Sequence, residues 1–400
     1  MIPMATPRIF ELDCQAMNYD WGKPGSRSLV AQLLPGQSID HSLPYAELWM
    51  GIHPNAPSRV KFGNGELLSE VLTKNRKLLG AHTMKRWGTL PFLFKVLSIA
   101  EPLSIQMHPD KSWAESLHSD DPQHYPDPNH KPEIALAISG VETLFGFENE
   151  QKVIQVLKRY PILQEFCGEE VLNSSEGKKR HPHLEDLFPV LLNLPEKRGE
   201  MLLQRLFQQV QKEVNRTEKE ELFLSLFPQY RRDLGLLFLF FMQKMPIAPQ
   251  TSLFLKANRL HAYLSGDLVE CMANSDNVIR AGITNKFKDV EQMLSRLNYR
   301  GEPARLCAGI SHSNCITKYP CDAEEFILET IELPHHKLFR QQKTKSPSIL
   351  LTLSGRGQLE SEMAGFELCK GTVLFIGANQ PYTVESNQQL QLVRASVPVL

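Results

Sequence analysis

A short alternation of polar and apolar residues places the strongest constraint on the fold of this chain. In SIQMHPDKSW, Ser104, Gln106 and His108 alternate with Ile105 and Met107. Because successive side chains of a β-strand point to opposite faces of its sheet, one face of this strand is apolar and the other carries a hydroxyl, an amide and an imidazole. The pattern predicts a sheet with one face buried on a core and the other face lined with chemically active groups.

A second strand is predicted further along the chain, in NHKPEIALAI. Lys131 and Glu133 again have alternate spacing, and an apolar run from 134 to 138 follows them. Such a run is typical of a buried strand. If the two strands pair, an amide, an imidazole, an ammonium and a carboxylate converge on one concave face. The alternative is that each residue is a solvated polar side chain on an antiparallel sheet.

A third segment, residues 257–286, is unusually rich in chemically active side chains. They are His261, Tyr263, Asp267, Glu270, Asp276, Arg280 and Lys286. Together with the first two segments it offers two imidazoles and one carboxylate, from His108, His261 and Glu133, to a divalent metal. Gln106 can add a neutral oxygen. Nitrogen and oxygen ligands without a thiolate suit zinc or another first-row metal and indicate a catalytic rather than a structural site.

Composition excludes several classes of protein. The 400 residues carry 44 basic and 45 acidic side chains, so we expect neither a nucleic-acid partner nor a membrane partner. The longest apolar run, LGLLFLFFM at 234–242, is too short to span a bilayer and predicts a core segment. Seven cysteines without framework spacing, and no secretory signal pattern, predict a cytoplasmic protein. A chain of this length predicts two or three domains.

The pattern of periodicity changes along the chain. Residues 151–227 repeat apolar side chains at intervals of three and four, which predicts helices. Strand character returns at 234–255, and a linker helix is predicted after Lys286. From Glu325 onward, short strands separated by turn residues predict a sandwich or a barrel. His335 and His336 are adjacent there and are therefore predicted on opposite strand faces, which argues against a second metal.

Four longer stretches extend these observations. They read YAELWMGIHPNAPS, PFLFKVLSIAEPLSIQMHPDK, DPNHKPEIALAISGVETLFGF and HAYLSGDLVECMANSDNVIRAGIT. In this order the sequence resembles type I mannose-6-phosphate isomerase, also called phosphomannose isomerase. The resemblance spans the N-terminal half and the region around residues 250–290, and it is weaker between these two regions and toward the C-terminus. Three positions depart from the family pattern: Leu260 and Asn285 stand where proline is common, and IAPQTS replaces the usual PGEA turn.

The resemblance implies a mainly β fold with a helical insertion: two cupin-like jelly-roll barrels plus an α-helical domain. Residues 1–148 and 234–290 are then the metal-binding catalytic barrel, and residues 149–233 are the helical insertion. Residues 291–400 are a linker and the C-terminal cupin-like barrel. It also implies one Zn²⁺ per chain and a small sugar phosphate as substrate, and we expect the chain to act as a monomer.

The implied activity is zinc-dependent aldose–ketose isomerisation, which interconverts mannose 6-phosphate and fructose 6-phosphate through a cis-enediol. The implied metal ligands are Gln106, His108, Glu133 and His261. A metal there polarises the sugar oxygens. Arg280, at the position of the family's catalytic arginine, is expected to stabilise the developing negative charge. Glu270, Asp276 and Lys131 all remain candidates for the proton carrier.

The sequence also predicts residues that contact the substrate. Ser104, Lys95 and Lys131 are the expected partners of the 6-phosphate, and Arg280 can share this role. For the two lysines, a salt bridge to a carboxylate is an equal alternative. The remaining predicted substrate-binding residues are Trp21 at the mouth of the pocket, Glu47, Tyr263 and Lys286.

Two rival functions use the same ligands. A cupin oxygenase holds iron in a triad of two histidines and a carboxylate, but Gln106 as a fourth ligand and the nearby cations argue against it. A noncatalytic sugar-binding cupin lacks a proton carrier. The proximity of Arg280, Glu270 and Asp276 to one metal histidine argues against that alternative.

Overall fold

The computed structural model describes residues 7–61, 64–167 and 183–399, and it is mainly β with a helical part. The first strands are β1 Ile9–Asp13, β2 Gln15–Met17, β3 Lys23–Pro24, β4 Pro44–Tyr45, β5 Glu47–Met50, β6 Arg59–Val60, β7 Phe92–Ile99, β8 Ile105–Met107, β9 Glu133–Ala137, β10 Val141–Phe147, β11 Met242–Ile247, β12 Ser252–Leu255, β13 His261–Ala273 and β14 Ile279–Gly282. They are followed by β15 Leu306–Cys307, β16 Ile310–Ser311, β17 Ile316–Tyr319, β18 Ile327–Leu333, β19 Leu338–Gln341, β20 Ser348–Ser354, β21 Arg356–Glu360, β22 Gly365–Cys369, β23 Val373–Ile376, β24 Tyr382–Ser386 and β25 Leu390–Ser396.

The described helices lie mostly in the middle of the chain. They are α1 Leu29–Gln32, α2 Leu68–Lys74, α3 Gly80–Arg86, α4 Lys111–Asp120, α5 Glu150–Arg159, α6 Ile162–Glu165, α7 Leu184–Leu192, α8 Glu196–Lys212, α9 Glu218–Tyr230, α10 Phe238–Phe241 and α11 Val290–Arg296. Local side-chain contacts explain several helix starts. The Asp110 carboxylate, for example, accepts a hydrogen bond from the Trp113 amide and caps α4.

The first barrel consists of two sheets that share the long strand β13. One sheet has the order β15-β12-β9-β13-β7-β5-β2, and the other has the order β11-β10-β13-β8-β14. Apolar side chains from both sheets, among them Leu97, Phe145, Leu253 and Tyr263, fill part of the space between them. The polar side chains described below line the rest of that interior.

The second barrel packs an eight-stranded sheet against a four-stranded one. The larger sheet has the order β16-β17-β18-β25-β20-β23-β1-β6, and the smaller sheet has the order β19-β24-β21-β22. Leu359 and Leu374 belong to the core between these sheets. A further core, which includes Phe94, Ile349 and Val393, joins the two barrels face to face.

The helices cover the outer face of the β11-β10-β13-β8-β14 sheet. Phe188 and Phe223 of the helical part share one core with Ile105 and Met107 of β8. The apolar half of the alternation that opened the sequence analysis therefore faces the helices. Its polar half faces the barrel interior.

Strand pairing differs from the predicted division of the chain for three strands. β1 pairs with β23, and β6 pairs with β1, so both join the sheet of the second barrel, although the prediction assigned them to the first. β15 pairs with β12 and extends the first barrel, although it follows the predicted linker. Each barrel thus completes its sheet with a strand from the other part of the sequence. The division itself, at residues 1–148 with 234–290, 149–233 and 291–400, stays a prediction.

Two local predictions are wrong. Residues Leu234–Leu237 and Phe238–Phe241 form a 3₁₀ turn and a short helix, and strand structure begins only at β11. This run is buried on every side, so it lacks the periodicity that separates a helix from a strand. His335 and His336 lie in the turn between β18 and β19 and stack on each other, rather than facing opposite sides of a strand. Part of the predicted helical insertion, residues 168–182, lies outside the described residues.

Within the described ranges, the structure contains no helix long and apolar enough to cross a membrane.

Candidate metal centre and active site

The site begins with one row of residues across three neighbouring strands. Gln106 of β8 lies directly opposite His261 of β13 on one side and Arg280 of β14 on the other. Directly opposed residues project to the same face of a sheet, with Cβ atoms about 4.5–5.5 Å apart. Strand register alone therefore brings an amide, an imidazole and a guanidinium together inside the barrel.

Glu133 reaches the same interior from the other sheet. It opens β9 and lies opposite Met272, near the far end of β13. The conditional pairing of the strands at Gln106 and Glu133 is wrong, because each of them pairs with β13 and not with the other. The convergence predicted from that pairing still occurs, since the barrel brings its two sheets face to face.

A bulge in β13 makes this convergence possible. Before the bulge, the interior face carries His261 and Tyr263; after it, the interior face carries Leu268 and Glu270. An unbroken strand would place residues 261 and 270, which are an odd number apart, on opposite faces. Gly266 adopts φ +112° at the irregularity, and a Cβ there would lie 2.5 Å from the Gly140 carbonyl oxygen. Glycine is therefore required where the strand changes its inward face.

Three side chains form a compact group of possible metal ligands. The Nε2 atom of His108 lies 3.2 Å from Glu133 Oε1, and the Nε2 atom of His261 lies 3.6 Å from Glu133 Oε2. One ligand atom from each residue lies within 4.8 Å of the others. All three residues are at most 3% exposed, and among the described residues both Nε2 atoms and Glu133 Oε2 have no hydrogen-bond partner. Buried polar atoms are rarely left unpaired, so this group fits a bound cation.

The orientation of both imidazoles supports metal binding. His108 Nδ1 lies 3.0 Å from the Asn277 carbonyl oxygen, and His261 Nδ1 lies 2.9 Å from that of Arg259. A carbonyl oxygen can only accept, so each Nδ1 donates and each Nε2 presents a lone pair toward Glu133. This arrangement is the usual one for histidine ligands of metals.

Protonation states in the group also suit a cation. Burial lowers the pKa of His108, and it lowers the pKa of His261 to about 4, so both rings are neutral near pH 7. Burial by itself would raise the pKa of Glu133. The neighbouring His108 imidazole and the charge of Lys131 outweigh it and hold that pKa well below its usual range, with Lys131 Nζ at 3.4 Å from Glu133 Oε1. Two neutral imidazoles and one carboxylate are the forms that bind metals.

A buried charge cluster lies deeper in the barrel. Lys95 Nζ lies 2.6 Å from Glu270 Oε2 and 3.8 Å from Glu47 Oε2, and it stands over the ring of Trp49. Trp49 Nε1 donates a hydrogen bond to Glu47. Burial and the charge of Glu133 raise the pKa of Glu270 to about 7 even though Lys95 opposes the shift. Of the two alternatives for Lys95, the structure contains the salt bridge.

Asp276 belongs to a second polar group at the edge of the interior. Its carboxylate lies 3.3 Å from Nε2 of the buried His53 and accepts a hydrogen bond from Asn55. The bond from His53 lowers the pKa of Asp276, so this carboxylate is ionised near pH 7 and is a weaker base than Glu270.

Arg280 has no ion-pair or hydrogen-bond partner for its guanidinium among the residues the structure describes, although it is only partly exposed. Lys131 has the carboxylate of Glu133 as its neighbour, and Ser104 immediately precedes β8. The three polar side chains lie on or beside the strands that carry the metal ligands. Their guanidinium, ammonium and hydroxyl groups are of the kinds that bind an anionic ligand.

The other predicted substrate residues differ from one another in burial and in contacts. Trp21 is half-buried, stacks on Tyr19 and packs at the edge of the interior core. The Tyr263 hydroxyl is buried inside the barrel and has no hydrogen-bond partner within the described part of the chain. Glu47 is buried in the charge cluster rather than on the surface. Lys286 lies on an exposed turn after β14 and makes no ion pair with described residues.

Several residues that contact the site residues carry no clear signal in the sequence. His53 and Trp49 contact the site residues Asp276 and Glu47, but both lie in an apolar stretch that reads as core. The carbonyl group of Asn277, which orients His108, is invisible because any residue supplies a carbonyl.

Comparison with known proteins decides the family. The model for the catalytic domain of type I phosphomannose isomerase matches residues 9–150. The human mannose-6-phosphate isomerase is 36% identical over 415 residues, which cover 98% of each chain. Its counterpart in Schizosaccharomyces pombe is 38% identical over 405 residues, 95% of this chain and 97% of the relative. The chain belongs to the mannose-6-phosphate isomerase family.

Solved structures of mannose-6-phosphate isomerases agree over the whole length. A zinc-bound crystal structure matches with a TM-score of 0.83 and 27% identity, covering 98% of this chain and all of the other. A mutant of the Salmonella typhimurium enzyme gives the same values. The predicted fold class, two cupin-like barrels with a helical part, is confirmed. Of the family departures, Leu260 is buried against the helical core, and Asn285 lies on the exposed turn.

Proposed function

We propose that this chain is a zinc-dependent isomerase that interconverts mannose 6-phosphate and fructose 6-phosphate through a cis-enediol. The observation that carries the proposal is the convergence of two imidazole Nε2 atoms and a carboxylate oxygen, all buried and unpartnered, in a member of this enzyme family. The zinc-bound structure of a relative supports the choice of metal.

The proposed ligands are Gln106, His108, Glu133 and His261. The register of β8 and β13 supports the assignment of Gln106, because it places Gln106 directly opposite His261. Bound zinc would act as a Lewis acid on the sugar oxygens, a contribution worth several kcal/mol in other enzymes. The protein's own part is to hold two neutral imidazoles and one carboxylate in fixed orientation before the metal arrives.

Arg280 is the proposed partner of the oxygen on which negative charge develops. Its guanidinium is partly buried, stays cationic and has no acceptor among the described residues, so no existing contact has to break when substrate binds. Ser104 and Lys131 are the proposed partners of the 6-phosphate. Trp21 and Tyr263 are proposed to line the sugar pocket. Lys95 is not proposed to contact the phosphate, because Glu270 and Glu47 already pair with it.

Glu270 is the proposed proton carrier between C1 and C2 of the open-chain sugar. A group that both takes up and releases a proton works best with a pKa near the operating pH, and the pKa of Glu270 is raised to about 7. Asp276 has a lowered pKa and is a poorer base. Lys131 Nζ lies 3.4 Å from Glu133 Oε1, one of the proposed metal ligands, and is assigned to the phosphate instead.

A coupled assay of fructose 6-phosphate formation tests the activity. Turnover is expected to stop on chelation and return with zinc, and deuterium from solvent is expected at C2 of recovered mannose 6-phosphate. Isomerisation that survives full metal removal would refute the metal role. Turnover without any deuterium incorporation would refute the enediol. Oxygen uptake without isomerisation would indicate an oxygenase, and binding without turnover would indicate a sugar-binding protein.

Two variants separate the candidate proton carriers. Glu270→Gln is expected to lower kcat by a factor of about 100 or more while zinc content stays at one per chain. Asp276→Asn is the matched control, with the same change from carboxylate to amide, and is expected to lose much less. The reverse order of losses would assign the proton transfer to Asp276.

The chain is further proposed to act as a monomer in the cytoplasm. Sedimentation of the zinc-loaded protein tests the first point, and a species of twice the chain mass of 45.5 kDa would refute it. The cysteine composition supports the second point, because seven cysteines without framework spacing are typical of a reducing compartment.

A further inference from the structure

A second cavity lies where three parts of the chain meet. Its volume is about 400 Å³, within the range of about 300–1,000 Å³ that is common for sites of small ligands. One wall comes from the first barrel through Phe254 and Arg259. A second comes from the segment 302–307 that connects the barrels, and a third from residues 320–322 at the entry to the second barrel. Sites at such junctions are frequent among ligand-binding proteins.

The charged groups in this cavity favour an anion. Lys256, Arg259 and Arg305 contribute three cations, whereas Glu302 and Asp322 contribute two carboxylates. Lys256 Nζ lies 2.5 Å from Asp322 Oδ2, and Arg259 pairs with Glu302. Arg305 is exposed and has no ion-pair or hydrogen-bond partner in the part of the chain that the structure describes. The cavity therefore carries one positive charge in excess, on the side chain that is free to bind.

The remaining walls are apolar and partly aromatic. Phe145 and the half-buried Phe254 line the cavity, and Leu306 is 42% exposed on the short edge strand β15. An apolar surface of this kind beside unpaired cationic charge suits a ligand with two parts, a flat ring and a phosphate group. None of the proposed metal ligands or catalytic residues lines this cavity.

We propose that this cavity is a second ligand site, and that it binds a nucleoside diphosphate with its phosphates on Arg305 and its ring against Phe254 and Leu306. The carbonyl group of Arg259 accepts the hydrogen bond from His261 Nδ1. Arg259 also lines the cavity, so the cavity adjoins a residue that orients one of the candidate metal ligands. The site is separate from the isomerase activity, and its test does not depend on that activity.

Calorimetric titration of the full zinc-loaded chain with adenosine diphosphate, without added magnesium, tests the proposal. One molecule per chain is expected to bind, and saturating mannose 6-phosphate is expected to leave that binding unchanged. Arg305→Gln should weaken it by about tenfold, because one charge-assisted hydrogen bond is lost. Arg340→Gln, an exposed arginine on β19, is the matched control and should leave affinity unchanged.

Two further titrations test the assignment of each wall. Inorganic pyrophosphate, which lacks the ring, should bind about tenfold more weakly than adenosine diphosphate. Leu306→Glu places a carboxylate beside Arg305 on an exposed edge strand and should weaken binding of adenosine diphosphate as well. No binding, displacement by mannose 6-phosphate, equal binding of pyrophosphate, or full affinity in both the Arg305 and Leu306 variants would each overturn the proposal.

Discussion

Replacing Lys95 by methionine tests the charge cluster beneath the candidate metal centre. The substitution keeps most of the side-chain volume and removes the cation that stands 2.6 Å from Glu270 and 3.8 Å from Glu47. The three side chains are only 8%, 4% and 10% exposed, so water cannot replace the lost partner. Breaking a buried ion pair on one side costs about 3–5 kcal/mol, and a loss in this range is expected in the free energy of unfolding.

The loss should depend on pH in a defined direction. The pKa of Glu270 is about 7 in the folded wild type and 4.5 in the unfolded chain, so the folded state binds more protons between these values. Stability from this group therefore falls as pH rises, and in the wild type the fall ends near pH 7. Without Lys95 the folded pKa moves higher, and the fall continues to pH 8. One extra pH unit with a one-proton difference is worth about 1.4 kcal/mol, so the variant loses about that much more at pH 8 than at pH 6.

Urea unfolding at the two pH values, followed by tryptophan fluorescence, measures both effects. The double variant Lys95→Met, Glu270→Gln should recover about 2 kcal/mol at pH 8, because it no longer leaves a charged carboxylate without its cation. Lys85→Met, an exposed lysine, is the control and should change stability by less than about 0.5 kcal/mol. A loss below about 1 kcal/mol for Lys95→Met, or a loss independent of pH, would refute the description of this cluster.

Three further substitutions test other parts of the structure. His261→Ala should lower zinc affinity by more than about 100-fold and abolish turnover, and zinc retained at one per chain would contradict the ligand assignment. Gly266→Ala should destabilise the fold by about 2 kcal/mol or more in urea unfolding, because the new Cβ meets the Gly140 carbonyl oxygen; an unchanged midpoint would show that the bulge is dispensable. The Glu325 carboxylate lies 2.7 Å from His130 Nε2, and this contact outweighs burial and lowers the pKa of Glu325. Glu325→Gln weakens the contact. Its cost of about 1 kcal/mol should be present at pH 7 and disappear as pH falls below the ordinary carboxyl range near 4.5, as measured by thermal unfolding, whereas a cost that grows in acid would contradict it.

The sequence was sufficient for features that depend on local periodicity. Alternation around Gln106 and His108 predicted a strand with one chemically active face, and β8 has that form. Repeats at three and four predicted the helices of the middle region, including α8 and α9. The residue types also predicted which side chains can serve as metal ligands, because only a few kinds of side chain bind a divalent cation. The grouping of His108, Glu133 and His261 agrees with that prediction.

Contacts between distant residues were decided by the tertiary structure. The sequence left Lys95 open between a phosphate and a carboxylate, and only packing of β7 against β13 pairs it with Glu270. The exchange of β1 into the second barrel likewise has no local signal. Periodicity records which face of a strand is buried, but it does not record which strand lies beside it. The set of β13 side chains that faces the barrel interior shifts by one residue near Gly266, because β13 belongs to both sheets. That requirement exists only once both sheets have formed.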